Sequence, residues 1–224
     1  TIFKYLFINL GVILPFLSMA QSGRFFVNAD VHIPRLVANN IYRDAFNGIV
    51  DAHIDVNCSL IKGFYLGIGG KVTQIQYREY RYGELSTDNL ITNAHSRLGY
   101  LINNSSSVIN ISICYGYSWN NFSNVKTDTL LRPSPNTSGI HLEPSLGVYW
   151  YIDENKNLLM GGSCSYNFFY SPFNPYSVSL DVYSSYKFSK NDYKANTQYL
   201  NIGLGFIYIL GKKNTVSGSS NSEE

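Results

Sequence analysis

From Gln21 onward apolar and polar residues alternate with a period of two, the signature of strands whose successive side chains point to opposite faces. The segment 50–60 shows it most clearly. Val50, Ala52, Ile54, Val56, Cys58 and Leu60 share one face, and Asp51, His53, Asp55, Asn57 and Ser59 share the other. Phe25, Val27, Ala29, Val31 and Ile33 oppose Asn28, Asp30 and His32, while Leu66, Ile68, Gly70 and Val72 oppose Gly67, Gly69, Lys71 and Thr73. Leu98, Tyr100 and Ile102 oppose Arg97 and Gly99, and the pattern recurs over 109–119, 140–150, 158–170 and 200–208.

The connections carry a second regularity. Short links at 61–63, 103–107 and 153–157 alternate strictly with long ones at 38–47, 78–92, 120–138 and 171–196. Eight strands joined in this way form an up-and-down meander with an even closure and both chain ends on the side of the short turns. Segment 176–188 alternates too; it is assigned to the last long connection, as a hairpin above the barrel, because a ninth strand would break the even count.

Which face lies inside decides the class. The polar faces hold Asp30, Asp51, Asp55, Lys71, Arg97 and Glu143 among many Gly, Ser and Asn, a mixture suited to the crowded lumen of a narrow barrel. A water-facing strand surface would be richer in Lys, Glu and Thr. Phe64, Tyr77, Tyr115, Tyr117, Trp119, Trp150, Tyr199 and Tyr208 near segment ends are placed in interfacial girdles. The expected fold is therefore all-β, an eight-stranded antiparallel up-and-down transmembrane β-barrel with short periplasmic turns and longer extracellular loops. Its outward belt would comprise Ile54, Val56, Ile68, Val72, Ile111, Ile113, Leu146, Val148, Ile202 and Leu204. In the alternative, a secreted lipocalin-like binder, the same ten side chains would converge on a common core.

Composition narrows the classes further. Charged residues make up 14% of the 224 and aromatic residues 15%, which excludes intrinsic disorder of the chain as a whole. Repeated apolar runs of about 20 residues, as in polytopic helical membrane proteins, do not occur. The net charge of +2 comes from 17 basic and 15 acidic residues scattered along the chain, without the basic stripe that a nucleic-acid surface requires. Residues 1–20 place Lys4 before an apolar stretch, Tyr5 to Leu17, and end on Ser18-Met19-Ala20, so a secretory signal peptide cleaved after Ala20 is expected. The barrel is then 21–210, followed by a polar tail, 211–224, expected to be disordered. Cys58, Cys114 and Cys164 lie in strands that are not neighbours in the proposed order, so no disulfide is expected, and no metal-binding Cys spacing occurs.

The candidate site is the lumen. Lys71 and Arg97 should point inward towards Asp51, Asp55 and Glu143, because a basic group facing lipid costs about 2 to 4 kcal/mol at the midplane. With His53 these six form the expected lumen polar network, and His32 and His141 are also expected inside. A histidine beside such carboxylates has the chemistry of an acid–base or metal site. Inward polar groups in narrow barrels nevertheless usually satisfy one another, so the network is assigned a structural role, with no catalytic, cofactor-binding or metal residue and no cofactor. Gly67, Gly69 and Gly70, like Gly203 and Gly205, are followed by no helix and offer no phosphate cradle. No Walker, G-x-S-x-G or H-E-x-x-H motif is present.

The SMAQS cleavage region, the opening FFVNADVHIP, FNGIVDAHIDVN, the glycine-rich FYLGIGGKVT, HLEPSLGVYW and the closing TQYLNIGLGFIYIL together resemble the small outer-membrane β-barrel proteins of Gram-negative bacteria, of OmpA/OmpX type. The resemblance covers about 21–210; it departs from the family where Gly211 to Glu224 follow Leu210, since such chains often finish on an aromatic residue at the end of the last strand. It implies a monomer in the outer membrane among lipid and lipopolysaccharide. The implied role is a non-enzymatic anchor whose loops meet an extracellular partner or support envelope integrity. Arg78 to Glu84 and Arg132-Pro133-Ser134-Pro135 are the loop sequences suited to contact. Two alternatives stay open: a receptor or conduit for a small hydrophobic ligand, and a lipid-A-modifying enzyme, for which His95-Ser96 is the candidate dipeptide.

Overall fold

A computed structural model of the chain describes residues 24–78, 87–123, 134–178, 180 and 196–210. Eight strands, β1 (Phe25–Ala38), β2 (Phe46–Ser59), β3 (Phe64–Tyr77), β4 (Asp88–Asn103), β5 (Ser107–Ser123), β6 (Thr137–Tyr151), β7 (Leu158–Pro172) and β8 (Asn196–Ile209), pair in sequence order. Every pair is antiparallel, and β8 closes on β1 from Phe26↔Ile209 to Ala38↔Gln198. The protein is an all-β, closed, eight-stranded, up-and-down barrel. The segments expected to be a signal peptide and a polar tail, and most of 176–188, lie outside the described residues. Of that last segment Pro175–Val178 forms a short 3-10 turn and Val178 is buried, with Leu180 buried beyond it.

The wall is sided as a membrane barrel is, not as a soluble one. Nine of the ten outward candidates are exposed and Val148 is half-buried, and they do not converge on a core. Ile33 is 70% exposed, and Ile68 64%, although both sit in the middle of paired strands. A surface of this kind left in water would far exceed the few hundred Å² that soluble monomers expose. Strands of 14 to 17 residues also outrun the 9 to 11 needed to cross a bilayer, so they project beyond it.

The short turns follow from local chemistry. Between β2 and β3, Lys62 and Gly63 take positive φ (51° and 90°) and Leu60 N–H reaches Phe64 C=O at 2.7 Å. Between β6 and β7, the Asp153 carboxylate accepts from the backbone N–H groups of Asn157 (2.9 Å) and Leu158 (2.8 Å). At the opposite end the first long connection differs from expectation. β1 and β2 extend to Ala38 and from Phe46, and the residues between them form a six-residue helix, α1 (Asn40–Ala45), with Ile41, Tyr42 and Ala45 buried. Asn39, at φ 63°, caps it through its side chain on Tyr42 N–H (3.2 Å). The β1–β2 ladder ends at His32↔Asp51. Beyond it a Cβ at Gly48 would fall on the Pro34 carbonyl, so the Pro34 nitrogen, on the same strand edge, faces β2 without a proton to donate. The other long connections are likewise shorter than expected, because β4 begins at Asp88 and β5 runs to Ser123.

Candidate functional site

Alternation inside the wall stacks three layers in the lumen. At the long-connection end an aromatic and aliphatic cluster, centred on Phe46 and including Tyr42, Tyr77, Phe122, Phe173 and Tyr199, closes the mouth. At the short-turn end Phe26, Tyr65, Val108, Tyr149, Leu159 and Ile207 close the other. This corrects two assignments: Tyr77 and Tyr199 are buried within the barrel, not in an outer girdle. Tyr77 shares its parity along β3 with Lys71 and Thr73, and Tyr199 shares its parity along β8 with Asn201. Burial pushes the Tyr42 phenol upward, so it stays neutral, and its oxygen accepts from the Asn89 side chain.

Between the two caps lies a layer of charge. The structure places Asp51, His53, Asp55, Lys71, Arg97 and Glu143 in it, all nearly inaccessible, and adds Asp30, His32, His95 and His141. Arg97 meets Asp55 at 3.1 Å, and its Nε–H points to Cys114 Sγ at 3.1 Å. Cys114 is therefore an acceptor for a buried guanidinium and more than an apolar filler. Lys71 binds Glu143 at 2.7 Å, stands 3.5 Å from Asp51, donates to Asn167 and lies over the Tyr199 ring. His53 Nε2 lies 2.7 Å from Asp30, 3.2 Å from Asp55 and 2.9 Å from an Arg97 nitrogen. His95 Nε2 meets Asp55 at 2.7 Å, and Asn93 links its ring to that of His141. The four imidazoles run across the barrel, 5.7, 6.4 and 6.3 Å between successive centroids from His32 through His53 and His95 to His141. The three cysteines are unbridged.

Glycines make room for these groups. A Cβ at Gly69 would strike the Asp55 carboxylate, and one at Gly205 the Asp30 carboxylate, so both are inner-wall positions where a side chain is traded for a charge. Sequence reasoning placed Asp30 and His32 on the inner face but left both out of the network. Their register partners, Asp30↔His53 and His32↔Asp51, are the signal that would have joined them to it. His95-Ser96 is split by the wall, His95 inside and Ser96 outside, so the dipeptide forms no dyad at the lipid surface. Among the described residues, His32, Asp51 and His53 form a group able to hold a metal ion, each offering a ligand atom within 4.8 Å of the others.

No family model matches the chain, and no curated protein matches it in sequence. Among solved structures it is similar to Neisserial surface protein A, at 13% identity over 82% of this chain and 96% of that one, with a TM-score of 0.49. A major outer membrane protein from Thermus thermophilus is similar at 12% identity, 84% and 100% coverage and TM-score 0.49. Ail, the attachment invasion locus protein of Yersinia pestis, in complex with the heparin analogue sucrose octasulfate, is similar at 10% identity, 83% and 99% coverage and TM-score 0.45. The assignment of the fold rests on this chain's own strand pairing.

Proposed function

We propose that the chain is a non-enzymatic barrel of the Gram-negative outer membrane, an anchor that holds its long connections at the cell surface among lipid and lipopolysaccharide. The observation that carries this reading is the three-layer lumen. Paired charges fill the middle and apolar caps close both mouths, so the interior bounded by the described residues is filled by side chains. A conduit is disfavoured for that reason, and the functional surface moves to the extramembrane ends. The apolar belt supports the membrane setting, and the order of long and short connections supports the expected orientation, with short turns in the periplasm.

Two measurements test it. Purified protein in planar bilayers should give no discrete conductance steps; regular steps would make it a channel. An epitope inserted in the β5–β6 connection should be labelled on intact cells, whereas labelling only of a β6–β7 turn insertion would reverse the orientation.

A further inference from the structure

We propose that His32, Asp51 and His53 form a site for one divalent transition-metal ion, enclosed in the lumen when the barrel closes. Hydrogen bonds around the cluster use up the atoms of these residues that point away from it. His32 Nε2 lies 2.8 Å from Ser163 Oγ, and Ser163 gives its one hydroxyl proton to the Asp30 carboxylate at 3.3 Å. Ser163 can therefore accept from His32 Nε2–H, which leaves His32 Nδ1 as the nitrogen free to bind a metal once any proton on it is displaced. Nδ1 faces Asp51 Oδ1 at 3.3 Å. The other carboxylate oxygen, Asp51 Oδ2, accepts from Thr73 at 2.6 Å. His53 is held through its other nitrogen: Nε2 lies 2.7 Å from Asp30, 3.2 Å from Asp55 and 2.9 Å from an Arg97 nitrogen, while Nδ1 is buried without a hydrogen-bond partner.

Three candidate ligand atoms thus lie within 4.8 Å of one another, and each residue is held from behind as metal-ligating histidines and carboxylates are. The charge balance is compatible with it. Four carboxylates, Asp30, Asp51, Asp55 and Glu143, are buried with two permanent cations, Lys71 and Arg97, so the remaining two negative charges are met either by imidazole protons or by a metal ion that displaces them. One divalent ion balances the two charges. Two imidazoles and a carboxylate suit Zn²⁺ or Co²⁺ better than Ca²⁺ or Mg²⁺, which take oxygen ligands. Both mouths are closed, so the ion would enter during folding and exchange slowly afterwards.

The chain has only four histidines, all inside the barrel, so any Co²⁺–imidazole signal reports the lumen if the purification tag lacks histidine. The full chain is produced in Co²⁺-supplemented medium, extracted in detergent, washed with EDTA and assayed for bound cobalt and for its visible absorption. About one Co²⁺ per chain with tetrahedral-type bands is expected, retained by the folded barrel and released by denaturant. H32Q and H53Q should each lower the content at least tenfold, and H95Q, buried in the same layer, should keep it; gel mobility with and without heating verifies that each variant folds. Folded wild-type protein with less than a tenth of an equivalent would overturn the site, as would equal cobalt in wild type and H53Q. So would imidazole NMR showing His32 and His53 doubly protonated in metal-supplemented protein.

Discussion

The middle and the mouth of this lumen are filled by opposite means. In the middle, Lys71, Arg97 and four carboxylates occupy the interior as ion pairs; at the long-connection mouth, Tyr42, Phe46, Phe122 and Phe173 occupy it as rings 4.8 to 6.0 Å apart. Both fillings exclude water, but they fail differently. An ion pair that loses one member leaves a bare charge in a dry place, whereas a ring that is truncated leaves a void. The charged layer should therefore be the more fragile to single substitutions. Its replacement as a whole by apolar residues could cost little, because desolvation offsets most of the attraction between buried charges.

The largest effect is expected at Lys71. Among the described residues it is the one permanent cation that touches both Glu143 and Asp51, so Lys71→Met leaves two buried carboxylates without it. A loss of about 3 to 5 kcal/mol is expected, read as a lower urea midpoint for the detergent-solubilised barrel. The double variant Lys71→Met, Glu143→Leu should recover part of that loss. If the single and double variants lose the same amount, the layer is wet and the comparison fails.

Phe46→Ala comes next. Phe46 is fully buried and packs against Tyr42, Tyr77, Phe122 and Phe173, so truncation should cost about 3 kcal/mol if the mouth cannot collapse. The contrast with Lys71 lies in the repair. Phe46→Leu should restore most of the stability, since volume and not charge is what this layer needs. A leucine variant as unstable as the alanine variant would show that the ring geometry itself is required.

The two layers were also unequally legible in the sequence. Strict alternation over 50–60 and 66–73 put Asp51, Asp55 and Lys71 on one face, and the closed barrel turns that face into a single interior. Which charge meets which depends on register across non-adjacent strands: Lys71 on β3 reaches Glu143 on β6 through the lumen, and no local pattern encodes that distance. The apolar caps were harder to see because they break the rule that the inner face is polar. Phe26, Leu36, Ile75, Ile91 and Ile207 have inward parity but apolar chemistry, so composition argued against them where parity argued for them. Register shifts between Leu36 and Ala38 and between Gly48 and Val50 blur even the parity near the mouth. Helix α1 gave no signal, since six residues are too few for a helical period to show.

The smallest of the expected effects tests whether that helix is part of the cap or only rests on it. Asn39 holds α1 by two means: a positive φ, which Asn tolerates better than most residues, and a side-chain oxygen on Tyr42 N–H. Asn39→Gly keeps the backbone freedom and loses the oxygen, while Asn39→Ala loses both. If the helix is integral to the mouth, Asn39→Ala should cost about 1 to 2 kcal/mol and Asn39→Gly a few tenths, both read in the same urea transition as Phe46→Ala. The coupling is physical, because Tyr42 and Phe46 stack at 4.8 Å and a frayed α1 withdraws the first ring from the second. In a Phe46→Ala background the cost of Asn39→Ala should then shrink, since the ring that α1 was holding in place has lost its neighbour. Strict additivity of the two substitutions would mean that α1 is fastened to the barrel elsewhere, and that the mouth is closed by the strand-borne rings alone.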